Sequence, residues 1–155
     1  MIRGRRDRHG RGLRGPLGPA HLPIVRSRSA VFGASVLDAV DFVEERLVAI
    51  ESTSATGLVA AFDAVDIVVD DVGPADDRDD TSVESALGSS VALGRAEPAD
   101  DRRPVRLVVH RRPIEHRSRD PRERNRLVRD VVVRLAAEIL ALDPRDLDPE
   151  YDAPD

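Results

Sequence analysis

Residues 120–142, which read DPRERNRLVRDVVVRLAAEILAL, carry the strongest structural signals in the chain. Asp120 is a good N-cap residue, Pro121 suits the first helical position, and Glu123 follows the cap at the spacing of a capping box. Apolar side chains then recur at helical spacing, namely Leu127, Val128, Val131, Leu135, Ile139 and Leu142. We therefore predict a helix from 121 to about 142.

Two further helical segments flank this one in the sequence. Residues 29–51, opened by Ser29, combine apolar positions at intervals of three and four with acidic positions on the opposite side, which predicts a long amphipathic helix. Asp143-Pro144 stops the helix at 142 and starts one further short turn through Leu147. The segment Arg-Arg-Pro-Ile-Glu at 111–115 is interpreted as a turn.

Strands are predicted where β-branched residues gather between breakers. Residues 65–72 and 105–110 show this pattern clearly, and a short strand is expected at 91–94. The predicted fold class is α+β, with two long helices packed on a small sheet of three to four strands. The chain divides into a flexible Arg/Gly/Pro-rich arm at 1–28, a domain at 29–147 with an acidic loop near 73–90, and an acidic tail at 148–155.

Composition limits the chemistry and the cellular setting. The chain has 155 residues and no Cys, so a single domain is expected, and disulfides, thiolate nucleophiles and Cys-ligated metals are excluded. No apolar run approaches the roughly 20 residues that cross a bilayer. We therefore expect a cytoplasmic protein that does not contact the membrane.

The amino-terminal arm concentrates positive charge. All 24 Lys+Arg residues of the chain are Arg, and residues 1–28 hold eight of them against one Asp. Its candidate anion-binding residues are Arg5, Arg6, Arg8, Arg11 and Arg14. Such an arm suits phosphate contact with nucleic acid or contact with an acidic protein, and it equally suits a merely solvated arm, since it has no aromatic residue to stack on bases.

A family resemblance rests on the strand and turn before the helix predicted from 121 to about 142. Residues 105–115, VRLVVHRRPIE, resemble the segment that precedes the active-site helix of small bacterial zincin-like metallopeptidases. Residues 65–74 resemble the first strand of that family, and residues 143–151 resemble the acidic segment after its active-site helix. The arm at 5–16 is similar to the leader of a subgroup from high-GC bacteria. The resemblance implies a minimal zincin-like fold.

The same resemblance implies a zinc site that this sequence does not spell out. The family helix carries His-Glu-x-x-His, in which two imidazoles hold Zn²⁺ and the Glu activates the bound water. Alignment back from Asp143 places Arg134 at the first His, Leu135 at the Glu and Glu138 at the second His. Arginine has no lone pair to give, and leucine is no base. We expect no metal ligand, catalytic residue or cofactor at these positions, so enzyme activity is in doubt.

Other readings of the charged and imidazole side chains stay open. Arg134 either pairs with Glu138 along the helix or lines an anion pocket where the zinc would lie. Of the four histidines, His110 is expected to replace an aromatic residue at a strand end and His116 to lie on the surface, with a rebuilt metal site or a pH-dependent or anion-contacting role as alternatives.

The sequence thus predicts a zincin-like domain that has lost its zinc ligands and general base and acts through binding. The alternative is a nucleic-acid- or anion-associated module that binds through the arm.

Overall fold

The computed structural model describes residues 27–54, 56–71 and 92–151. Its elements are α1 (Arg28–Glu51), α2 (Leu58–Asp63), β1 (Asp66–Asp70), β2 (Gly94–Glu97), β3 (Arg106–His110), α3 (Arg111–Arg117), α4 (Pro121–Leu140) and α5 (Pro144–Leu147). The predicted α+β class is confirmed. The predictions for the arm before residue 27, the acidic loop and the last four residues lie outside the described residues.

Both long helices begin at a side-chain cap. The Asp120 carboxylate accepts hydrogen bonds from the backbone N–H groups of Arg122 and Glu123 at 2.7 and 2.9 Å, which confirms the predicted start of α4. The Glu123 carboxylate accepts from the backbone N–H of Arg119 at 2.6 Å, one residue earlier than in a standard capping box. At α1 the cap is Ser27 and not the predicted Ser29.

Helix α4 ends in a left-handed residue that is not glycine. Ala141 has φ 55°, the N–H of Leu142 donates to Ala137 O at 2.9 Å, and the N–H of Ala141 donates to Glu138 O at 3.4 Å. These two bonds form a Schellman motif, in which glycine is the usual left-handed residue. The turn leads into α5, whose cap is Asp143, as the sequence predicted.

The sheet is small and mixed, with strand order β1-β3-β2. β1 runs parallel to β3, and β2 runs antiparallel to β3 with Gly94 opposite Val109. β2 therefore forms an edge of the sheet among the described residues. The short strand was predicted at 91–94, and these bounds were wrong, because the observed strand begins at Gly94, where the predicted segment ends.

Helix α4 lies between α1 and the sheet and supplies the centre of the core. It packs against α1 on one side and against β2 and β3 on the other. The fully buried apolar side chains that meet here come from all three layers and include Phe32, Val43, Leu47, Leu107, Val109, Ile114, Val128, Val131 and Leu135. A core so rich in Val and Leu depends on close aliphatic packing around α4.

Two segments that the sequence did not predict as helical form short helices. The segment 111–115 was interpreted as a turn, but α3 begins at Arg111 and places Pro113 in its first turn, where proline costs no intrahelical hydrogen bond. The Arg111 guanidinium holds this helix against the end of β1, with 2.9 Å to Asp71 and 3.1 Å to Glu115. α2 follows the left-handed Gly57 and had no sequence prediction.

Candidate functional site

The candidate site is the contact between α4 and the edge strand β2, where the sequence-predicted residues Arg134, Leu135 and Glu138 lie. A Cβ atom on Gly94 would stand 2.7 Å from Val108 O and 3.0 Å from side-chain atoms of Leu135 and Val131. No real Cβ tolerates the first of these distances, so only glycine allows β2 to approach α4 this closely. The close approach brings the backbone of the edge strand beside Arg134.

Arg134 is half-buried and its guanidinium is incompletely satisfied. Nη2 donates to Gly94 O over a long 3.5 Å. Nε is buried and has no hydrogen-bond partner within the described part of the chain. A buried donor without a partner costs free energy, of the order of 1–3 kcal/mol. The guanidinium therefore has a donor for which the described surroundings provide no acceptor.

The other two predicted motif positions of the helix, Leu135 and Glu138, lie in different environments. Leu135 is 1% exposed and belongs to the core. Glu138 is exposed on the outer side of α4. No ion pair joins Arg134 to Glu138 in the described structure, so the predicted pairing along the helix is wrong. The two side chains serve different environments although they are one turn apart.

The two histidines that the structure describes do not gather around this helix. His110 is 1% exposed at the end of β3, with Nδ1 2.8 Å from Ala92 O and Nε2 3.2 Å from Arg95 Nη1. These partners assign the proton to Nδ1, since a carbonyl only accepts and a guanidinium only donates. His110 lies at a strand end and His116 is exposed, as the sequence predicted, and the burial of His110 is a further finding. His9 and His21 lie outside the described residues.

The face of the sheet that carries His110 is covered by a ladder of charged side chains. Glu97 accepts from Arg95 at 2.6 Å and from Arg106 at 3.1 Å, and Arg106 reaches Asp66 at 3.4 Å. The hydrogen bond from Arg95 holds the pKa of the Glu97 carboxyl below its ordinary value against the opposing effect of burial, and the charge of Arg106 adds to the lowering. This ladder links all three strands.

A polar groove of about 360 Å³ lies at the other end of α4 and was not predicted from the sequence. It is lined by Arg122, Asn125, Arg126, Arg129, Asp130, Asp148 and Glu150. Asp130 and Asp148 are buried and lie 3.8 Å from Arg126 and 3.9 Å from Arg129, respectively. The lining has three arginines and three carboxylates, so its formal charges cancel. Only the i,i+4 spacing of Arg126 and Asp130 was visible in the sequence, because Asp148 arrives by the folding of α5 onto α4.

The residues of the candidate site do not fit the zinc ion that the family resemblance implies. A structural or catalytic zinc site needs three or four nitrogen, sulfur or carboxylate ligands around one point. Arg134 contributes a permanent positive charge there, Leu135 contributes carbon, and Glu138 contributes one exposed carboxylate. No group of three or more His, Cys, Asp or Glu side chains suited to a metal occurs among the described residues.

The arm residues Arg5, Arg6, Arg8, Arg11 and Arg14 lie outside the described residues, so Arg134 is the one candidate anion-binding residue that the structure places. Over the described ranges, no helix is both long enough and apolar enough to cross a bilayer.

Comparison with known proteins identifies the family. The family model described as zincin-like metallopeptidase matches residues 62–153, which span α4 and all three strands. Neither the curated proteins nor the solved structures gave a match. The matched segment exceeds half of the chain and contains the helix from which the sequence resemblance was read, so this chain belongs to the zincin-like metallopeptidase family.

Proposed function

We propose that this chain is a non-catalytic member of its family that acts through binding and does not hydrolyse peptides with zinc. The observation that carries the proposal is the chemistry of α4 at the positions aligned with the family motif. Arg134 repels a divalent cation, and Leu135 has no group that could activate water. Family membership is a statement about the fold, and the activity has to be argued from the residues of the site.

The buried state of Leu135 supports the proposal beyond its residue type. A general base must reach the water that it activates, within hydrogen-bond distance in a plausible geometry. The side chain at this position is 1% exposed and packs between α4 and β2. The position thus serves the core.

The test is a metal and activity measurement on the purified full chain. We expect no stoichiometric zinc by elemental analysis, and no peptide hydrolysis in the presence of added Zn²⁺ that a chelator abolishes. About one zinc per chain, removed by His110→Ala, together with chelator-sensitive hydrolysis would refute the proposal. His116→Ala is the matched control, since it removes an exposed imidazole from the same region.

A further inference from the structure

We propose that the guanidinium of Arg134, where α4 contacts the edge strand β2, binds a carboxylate group. The inference rests on the proposed function, because it names the ligand chemistry of a site that has no metal ligands. The family resemblance implies a zinc ion at this position, whereas this chain places the positively charged guanidinium of Arg134 there.

Arg134 differs from the other half-buried arginines on the sheet side of the molecule. Arg95, Arg106 and Arg111 each meet carboxylates at 3.4 Å or less. Arg134 meets only the carbonyl of Gly94 at 3.5 Å, and its buried Nε has no partner in the described ranges. Its positive charge therefore has no counter-charge from the described side chains.

The position of the guanidinium is set by the sheet. The N–H of His110 donates to Leu93 O, and pairing alternates along an antiparallel strand, so the carbonyl of Gly94 points away from β3. Arg134 reaches this outward carbonyl and so lies at the edge of the sheet. The outer carbonyl of β2 and the guanidinium of Arg134 therefore lie side by side.

A carboxylate satisfies this group better than the present partner does. A guanidinium offers two parallel N–H donors that match the two oxygens of a carboxylate. Nε is inaccessible in the observed position, so bidentate contact requires the guanidinium to turn on its stem. That rotation gives up one long bond to Gly94 O, and it exchanges an orphaned donor for a charge-assisted hydrogen bond.

The probes are short peptides and a simple acid added to the full chain, with the Arg134 Nε–H signal observed by NMR at constant ionic strength. Acetyl-Ala-Ala-Ala supplies a terminal carboxylate, acetyl-Ala-Asp-Ala-amide supplies a side-chain carboxylate, and acetate supplies the bare group. Acetyl-Ala-Ala-Ala-amide is the neutral control. We expect saturable shifts with the carboxylates and none with the neutral peptide, and the tightest carboxylate identifies the source.

The variants make the test specific. Arg134→Gln is expected to weaken binding at least about tenfold, which corresponds to about 1.4 kcal/mol. Arg124→Gln is the matched control and should bind as the parent does, since Arg124 also has a buried Nε without a partner but its Nη2 donates to Asn125 Oδ1. Circular dichroism verifies that each variant is folded.

Equal titration by the acid and amide peptides, or unchanged binding by Arg134→Gln, would overturn the inference. The comparison of acid with amide needs no variant, so it decides the matter even if Arg134→Gln fails to fold. Failure here in a chain that also holds no zinc overturns the carboxylate site alone. Chelator-sensitive hydrolysis would instead overturn the proposed function.

Discussion

Replacement of Leu135 by Glu introduces the residue type that our proposed alignment with the family motif gives at this position, and it tests whether the fold accommodates a carboxyl there. Leu135 is 1% exposed, and one of its methyl groups lies against Gly94 of β2. The substitution removes about 2 kcal/mol of apolar burial and places a carboxyl in the core without a hydrogen-bond partner, at a further cost of a few kcal/mol. We expect a loss of at least about 4 kcal/mol at pH 7, against a total stability of about 5–15 kcal/mol for a typical domain.

The pH dependence gives the prediction a second signature. Burial raises the pKa of an introduced carboxyl, because the charged form is disfavoured away from water. The folded state of the variant then binds a proton that the unfolded state releases, so its stability falls as the pH rises above the unfolded pKa. The deficit relative to the parent should be smaller at pH 5 than at pH 8.

The assay is urea unfolding followed by circular dichroism, with Leu37→Glu as the matched control. Leu37 lies on α1 and is 62% exposed, so the same substitution there should change stability by no more than about 0.5 kcal/mol. If the free energy of unfolding of Leu135→Glu is within about 1 kcal/mol of the parent's at pH 8, the introduced carboxyl can reach solvent. The claim that the core has absorbed this position would then be wrong.

Three other perturbations test the contacts around the site. Gly94→Ala should lower the free energy of unfolding in urea by about 1–3 kcal/mol, because the added Cβ would stand 2.7 Å from a backbone carbonyl. Gly33→Ala is the control: apart from its chain neighbours and the nearby helix backbone, no described atom lies within 4 Å of its added Cβ, so it should stabilise α1 by about 0.5–1 kcal/mol. Equal effects of the two substitutions would contradict the close approach of β2. Ala141→Gly should raise the midpoint of thermal unfolding by relieving a left-handed alanine, worth about 1 kcal/mol before the entropy of the added glycine is subtracted; a lower midpoint would show that no strain is stored there. Glu97→Gln should lower the free energy of unfolding by up to about 1 kcal/mol at pH 7. Because the pKa of Glu97 is lowered in the folded state, this deficit should vanish as the pH falls through the folded-state pKa, which unfolding curves between pH 7 and 3 would show. A deficit independent of pH would mean that the charge of Glu97 does not cause it.

The elements that the sequence predicted well are those whose signals are local. The start of α4 is fixed by Asp120 and Pro121, and the helical spacing of apolar residues carries the signal through to its end. The two β-branched strands were predicted within one or two residues of their observed bounds for the same reason. In each case the residue types, the spacing and the breakers favour one structure.

The features that the sequence misplaced or missed depend on partners distant along the chain. β2 reads Gly-Arg-Ala-Glu and has almost no apolar content, so it is a strand because β3 pairs with it and because Gly94 fits against α4. The same contact, invisible in the sequence, decides the environment of Arg134. Helical spacing alone suggested that Arg134 pairs with Glu138, but the closeness of β2 draws the guanidinium to a backbone carbonyl.

The packing of α4 bears on the proposal that this chain has lost the zinc site. A zinc ion stabilises small domains by tying segments together when the core alone is insufficient. Here α4 is capped by Asp120, closed by the motif at Ala141 and packed on both sides, so its position is determined without a ligand between it and β2. If packing alone positions the helix, the fold does not require a zinc ligand at position 134. Under the proposed function, the fold tolerates a permanent positive charge at position 134, and the proposed carboxylate contact uses that charge.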